Sequence, residues 1–329
     1  MMNFLRRLSR AAALITVSLL GAAACARAPA AAPEAPAPGD TVRAPLPRPY
    51  DPSVDPPPIE VRDPAALREA ALLPRRRIVA FYGNPRSTRM GILGELPPDR
   101  MLARLDREVD AWRRADPGTP VQPALHLIAV MASASPGESG TYRVRMPARV
   151  IEQVLGWAER RDAIVFLDIQ PGLSTVRQEL PHLLPYLRRP NVHLALDPEW
   201  SMRSGQVPGK VIGSMDASQI QYAIDTLARL VDGLGLPPKV LVVHRFTQGM
   251  VTNLSRLRLN PRVQLVLNMD GWGPPSTKIR SYRDFVARAP VPFKGFKLFY
   301  RNDRRGGSRM MTPEEVLRLD PAPIYIQYQ

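Results

Sequence analysis

The sequence predicts a single α/β domain of the (β/α)8, TIM-type barrel class, and two observations carry that reading. Eight short apolar runs recur after residue 75: Arg77–Tyr82, Leu125–Met131, Ala163–Asp168, Val192–Asp197, Lys239–His244, Val263–Asp270, Gly295–Tyr300 and Ile324–Gln327. Stretches such as Ile78-Val79-Ala80-Phe81 and Val240-Leu241-Val242-Val243 are apolar without alternation, the signature of parallel strands covered on both faces. Several runs also stop on a polar side chain, namely Asp168, Asp197, His244 and Asp270. In such a barrel the active site lies at the C-terminal mouth of the strands, where these groups would converge. Residues 75–329, 255 in all, match the ~250 of one barrel domain. A doubly wound open sheet is the competing arrangement. Its nucleotide-binding forms are disfavoured, because neither GxGxxG nor a P-loop accompanies the strands.

Residues 1–24 read as an export signal. Arg6, Arg7 and Arg10 form a positive start, Ala11–Leu20 an apolar core, and Gly21-Ala22-Ala23-Ala24 a small-residue end before Cys25. The apolar stretch is short of the ~20 residues a spanning helix needs. Cys25 is the one cysteine of the chain, so disulfides and thiolate metal sites are excluded. This segment resembles a bacterial lipoprotein signal, which implies lipidation of Cys25 and anchoring of an exported protein in the cell envelope. Ala22 departs from the usual leucine at its position, and cleavage of an ordinary signal after Ala24 is the alternative.

Residues 25–74 read as a tether and a lead-in. Eleven of the 33 residues from Ala26 to Pro58 are proline, which makes an extended, semi-rigid spacer. Asp63–Leu73 is predicted as a short helix covering the lower end of the barrel, with Asp63-Pro64 as cap and first turn. The formal charge is +15, carried by 40 arginines against 5 lysines. No interleaved aromatic–basic motif is present, so nucleic acid is not an expected partner. A basic exterior would favour anionic headgroups or wall polymers.

Within the barrel, Asp99–Arg114 places Met101, Leu102, Leu105, Val109 and Trp112 on one helical stripe. Pro147–Arg160 repeats that spacing, with Trp157 also read as core, and Asp216–Val231 opens on a capping Asp216. Shorter helices are predicted over Val176–Leu187, Gly249–Leu257, Ser281–Ala289 and Pro313–Leu319. Strand-to-helix loops are long and rich in Gly, Pro and aromatics, while helix-to-strand returns such as Arg161-Asp162 are short. That asymmetry puts the elaborated loops on the catalytic face.

Strand side chains at i and i+2 share a face, and polar pairs with this spacing recur at the strand ends: Asp168/Gln170, Asp197/Glu199, Asn268/Asp270 and Gln327/Gln329. Together they predict a polar basin above an apolar interior, although such acids also cap helices or pair with arginines. Trp200 and Trp272 each follow a strand-end acid and would offer flat faces for sugar rings; packing under loops is the plainer alternative. Tyr82, Asn84, Tyr300 and Gln327 would complete the lining. Lys297, inside a buried strand, needs a partner, and Asp270 on the neighbouring strand is the first candidate. No cofactor is expected. Three acids plus His244 could instead hold a divalent metal, zinc or manganese by their chemistry, although no HxH or HxxxH spacing occurs.

Asp197-Pro198-Glu199, at the end of the fourth run, resembles the acidic Asp-x-Glu motif of family 18 and family 25 glycoside hydrolases, both barrel enzymes. The resemblance implies Glu199 as the acid that protonates the leaving glycosidic oxygen. It implies Asp197 as the residue steadying the substrate's N-acetyl group. Asp168 and Asp270, converging on the same mouth, are read as tuning acids. The longer DxxDxDxE pattern of family 18 is missing. The strings LDIQPG, LALDPEW, PGxxIGS, VVHRF, MDGWG and GFKLFY are similar to those of a family of bacterial lipoproteins and secreted proteins, which implies export and a single domain but supplies no activity. The reading is a monomeric, lipid-anchored glycoside hydrolase-like protein acting on an envelope or environmental polysaccharide. A glycan-binding barrel without turnover and a metal-dependent hydrolase are the alternatives.

Overall fold

A computed structural model describes residues 64–329. The predicted signal segment, Cys25 and the proline-rich tether lie outside the described residues. Among the described residues, no helix is long and apolar enough to cross a membrane.

The eight predicted strands form a closed, all-parallel ring: β1 Arg77–Gly83, β2 Val121–Ala132, β3 Ile164–Ile169, β4 Val192–Leu196, β5 Lys239–Arg245, β6 Val263–Met269, β7 Phe293–Leu298 and β8 Tyr325–Tyr328. Each strand pairs with its chain neighbours, and β8 returns to pair with β1, so the ring has no free edge. The helices are α1 Pro64–Ala70, α2 Ile92–Glu95, α3 Pro98–Ala115, α4 Ala148–Glu159, α5 Val176–Leu187, α6 Ala217–Leu234, α7 Pro275–Tyr282 and α8 Pro313–Leu317.

Alternation along the strands divides the core in two. Outward residues such as Val79, Phe81, Leu125, Leu127, Leu194 and Leu241 pack against the helices, where Trp112 and Leu105 of α3 are fully buried. Trp157 of α4 packs against this layer while only partly buried. Inward residues form a second cluster, including Ile78, Ala80, Phe166, Val240 and Val266, and Leu73 closes it. The Gln264 side chain fixes Leu73 by accepting from its backbone N–H at 3.2 Å and donating to its carbonyl at 2.6 Å. Gly295 marks an inward position with no room for a side chain, since a Cβ there would meet Asn268 Oδ1 at 2.5 Å.

Two helix expectations are corrected. Gly249–Leu257 is not a helix. Two 3-10 turns flank Val251–Thr252, which bridges in parallel to Met215–Asp216. The adjacent β-branched pair favours extended backbone, and Asn253 at φ 55° breaks any helical path. The helix expected over Ser281–Ala289 begins earlier, with Pro275 in its first turn, and ends in a π turn over Arg283–Ala287.

The long loops stand at the mouth. Arg143–Arg145 folds back antiparallel onto the end of β2, and both arginines grip the fully buried Glu179 of α5 at 2.8 and 2.7 Å.

Candidate active site

In-phase positions on different strands bring the polar residues together. Gln170, just past β3, donates from its side-chain nitrogen to the Tyr82 hydroxyl at 3.0 Å and to Asp197 Oδ2 at 3.2 Å. Its oxygen accepts from the Ala132 N–H at the end of β2. Lys297 Nζ of β7 lies 2.8 Å from Asp270 Oδ1, and His244 Nδ1 of β5 lies 3.1 Å from Asp270 Oδ2. One layer deeper, Asp168 faces both His126 and His244.

Above these groups opens a cavity of about 500 Å³, lined by Tyr82, Gln170, Asp197, Glu199, Asp270 and Lys297 together with loop residues that include Trp200 and Trp272. Small-molecule sites occupy ~300–1,000 Å³. Asp197 and Glu199 reach it from a tight corner. β4 ends at Leu196, the Asp197 N–H donates to the Ile169 carbonyl at 3.0 Å, and Pro198–Trp200 turns as a 3-10 helix. Gly213 packs against that turn, its N–H donating to the Glu199 carbonyl at 2.6 Å. A Cβ at Gly213 would meet the carbonyl oxygens of Glu199, Ser201 and Pro198 at 2.5–2.7 Å. Only glycine closes the corner that aims Glu199.

Trp272 stands at the rim, 53% exposed. Its loop is tied down from below: Asp303 accepts from the Gly273 N–H at 3.0 Å, and Lys278 Nζ donates to the Gly271 carbonyl at 3.0 Å. Lys278 and Asp303 also pair with each other in full burial. Such a buried pair is held by its surrounding hydrogen bonds rather than by attraction alone.

The electrostatics divide the acids into two classes. Burial, then the Asp270 charge, push the Glu199 carboxyl up to about 7. Asp197, 1% exposed, is raised well above the usual range by burial and then by Asp168, Asp270 and Glu199, against the pull of His244. Burial also opposes ionisation of Asp270, but Lys297 and His244 outweigh it and hold that carboxyl at about 2. Asp168 is likewise lowered, since His126, His244 and Lys297 outweigh its burial. Burial keeps the His126 imidazole down at about 4. His244 moves the other way, because Asp270, Asp168 and Asp197 overcome its burial and favour its charged form. Asp197 and Glu199 are thus shifted upward and Asp168 and Asp270 downward, so neighbouring carboxyls of one site are pushed apart by their surroundings.

Six residues predicted at the mouth are elsewhere, and two of them, Asp168 and His244, lie one layer deeper, outside the cavity lining. Asn84 shares the phase of Tyr82, but Gly83 at φ 147° turns the chain, and Asn84 donates to the Ile128 carbonyl at 3.2 Å. Tyr300 falls on the outer phase. It bonds Glu108 at 2.8 Å and stacks on Tyr328, while Phe299 lines the cavity instead. Asn268 and Gln327 point inward a layer too deep, bonded to His244 Nδ1 at 3.2 Å and to His126 Nδ1 at 3.0 Å. The interior is accordingly more polar than the apolar one expected below the basin. His126 is absent from the sequence prediction because it does not end its run. Its signal is phase, since in Leu125-His126-Leu127 the leucines face out and His126 faces in.

A scan against protein-family models and a search of curated proteins return no match. Among solved structures, the chain is similar to the Clostridial cellulose synthase subunit Z (CcsZ) from Clostridioides difficile. The identity is 7%, the alignment covers 78% of this chain and 91% of that chain, and the TM-score is 0.39. A likeness that slight carries no argument about activity, which is read from the residues of the site itself.

Proposed function

We propose that this barrel is an exported, lipid-anchored enzyme that hydrolyses glycosidic bonds in an envelope or environmental polysaccharide. The observation that carries the proposal is one cavity lined by Asp197, Glu199, Asp270 and Lys297 together with Trp200 and Trp272, in which burial and the Asp270 charge raise Glu199 to about 7. Glu199 is the general acid. Its carboxyl gives a proton to the leaving oxygen as the bond to the anomeric carbon breaks, water supplies the new bond at that carbon, and the proton water gives up restores the acid for the next turnover. Asp197 has one oxygen fixed by Gln170 and the other without a hydrogen-bond partner, suited to orienting the substrate or stabilising its developing charge. Asp270 and Lys297 set the field at Glu199, and Trp200 and Trp272 offer faces for sugar rings. Export and attachment through Cys25 rest on the sequence of residues 1–25, and the protein acts as a monomer.

The test is hydrolysis of a polysaccharide panel by wild type, Glu199→Gln and Asp197→Asn at equal folded concentration. Rates unchanged in both variants would remove the assignment. A glycan-binding barrel without turnover is the second reading, favoured by the near-complete burial of Asp197. Tight oligosaccharide binding with no release of reducing ends would select it.

A further inference from the structure

Beneath the cavity, His126 Nε2, His244 Nε2 and both carboxylate oxygens of Asp168 are buried without a hydrogen-bond partner. Asp168 Oδ2 lies 3.6 Å from His126 Nε2 and 3.7 Å from His244 Nε2, too far for hydrogen bonds. All three residues are 0% exposed. Orphaned groups are rare in native interiors, and three of these atoms, the two Nε2 and Asp168 Oδ2, gathered in one place call for an occupant.

We infer that the gap is a divalent metal site with His126 Nε2, Asp168 and His244 Nε2 as ligands. One donor atom from each residue lies within 4.8 Å of the other two. Bonds of about 2.0–2.2 Å in a tetrahedron set neighbouring donors roughly 3.4 Å apart, so both histidine–carboxylate separations need only a small contraction. Two imidazoles and one carboxylate suit zinc, manganese or ferrous iron. The ligands come from β2, β3 and β5, which is why no short histidine spacing marks the site in the sequence.

Both rings are already oriented from behind, as metal-binding imidazoles are. His244 Nδ1 donates to Asp270 Oδ2 at 3.1 Å, and an ion takes the place of the Nε2 proton of the charged ring, which is released on binding. His126 Nδ1 meets the Tyr325 hydroxyl at 2.6 Å and the Gln327 side-chain amide at 3.0 Å. With the Gln327 amide turned over, its Oε1, otherwise unpartnered, accepts the Nδ1 hydrogen and leaves the Nε2 lone pair facing the gap. None of the three ligands lines the cavity, whereas Asp270 does. An ion here is a positioning element that fixes His244 and, through it, Asp270. The inference is independent of the carbohydrate proposal, since it is read as metal content rather than turnover.

The experiment is elemental analysis of the full chain, stripped with dipicolinate, equilibrated with Zn²⁺, Mn²⁺ or Co²⁺, and desalted. The expected result is about one ion per chain for at least one metal. Asp168→Asn and His126→Gln should each lose at least tenfold in affinity, and His182→Gln, at an exposed histidine of α5, none. The thermal midpoint of the wild type should rise with the bound ion. Wild type that holds no ion and shows no midpoint shift with any of the three metals overturns the site, leaving only a buried water. Folded ligand variants that bind as well as wild type overturn it equally. Should those variants not fold, wild-type stoichiometry and midpoint decide.

Discussion

Lys297 Nζ lies 2.8 Å from Asp270 Oδ1 and 3.8 Å from the centre of the Tyr82 ring, with side chains only 3% and 6% exposed for the ion pair. Desolvation of both charges is offset by their close contact, by the ring face and by His244 on the other Asp270 oxygen. Asp270 in turn is the largest charge acting on Glu199 after burial. The pair is thus the electrostatic floor above which the proposed acid titrates.

Removing half of that floor is expected to be costly. Lys297→Met leaves the buried Asp270 charge with His244 as its remaining partner and should lower stability by roughly 3 kcal/mol in urea denaturation. Adding Asp270→Asn to the same chain should recover a good part of the loss. A single variant as stable as wild type would mean the pair is not buried as described.

Turnover should carry an alkaline limb near pH 7. Glu199 donates only while protonated, and its carboxyl is raised to about 7, so the rate should fall as pH climbs through that value. A pH–rate profile flat from 6 to about 9 would rule out Glu199 as the titrating acid.

The same shift has a signature in stability. Glu199 is raised from 4.5 to about 7, so between those values the folded protein keeps a proton that the unfolded chain has released. Stability therefore falls as pH rises through this window. Glu199→Gln lacks that loss and should gain on wild type across it, by roughly 2 kcal/mol above pH ~7 once solvent screening is discounted. Thermal midpoints of both proteins at pH 4.5 and 8 check the crossing.

The corner at Gly213 gives a test of geometry rather than charge. Gly213→Ala forces a Cβ against three carbonyl oxygens of the Pro198–Ser201 turn. A displacement of about 1 Å can cost ~100-fold in rate, so kcat should drop by about that factor while circular dichroism stays native. An unchanged kcat would show that the turn does not aim Glu199.

Trp272 should matter to affinity and little to stability, because it is half exposed and its loop is held by Asp303 and Lys278. Trp272→Ala should weaken oligosaccharide binding about tenfold in calorimetry, in keeping with ~0.5–1.5 kcal/mol for aromatic contacts. Its thermal midpoint should remain within a few degrees of wild type.

The barrel was legible because strands covered on both faces read as unbroken apolar runs, and all eight lie within a few residues of their predicted limits. β2 starts earlier than read because Pro123 lies inside it, where proline ordinarily argues against a strand. Cavity residues were legible where phase alone decides, as for Asp197, Asp270 and Lys297. Asn84 and Tyr300 mislead for separate reasons: a left-handed glycine redirects one, and the other sits on the outer phase that Phe299 leaves free. Depth is not written in a strand's sequence, so Asp168, His244, Asn268 and Gln327 could not be told from rim residues, and the polar layer around His126 went unseen.

The most direct measurement compares Glu199→Gln with wild type on two substrates of the same sugar, one with a poor leaving group and one carrying dinitrophenolate. If Glu199 is the proton donor, the variant should lose ~10²–10⁴-fold on the poor leaving group and lose little on the dinitrophenyl glycoside, whose departure needs no acid. Equal losses on both substrates, or none on either, would contradict the role assigned to Glu199.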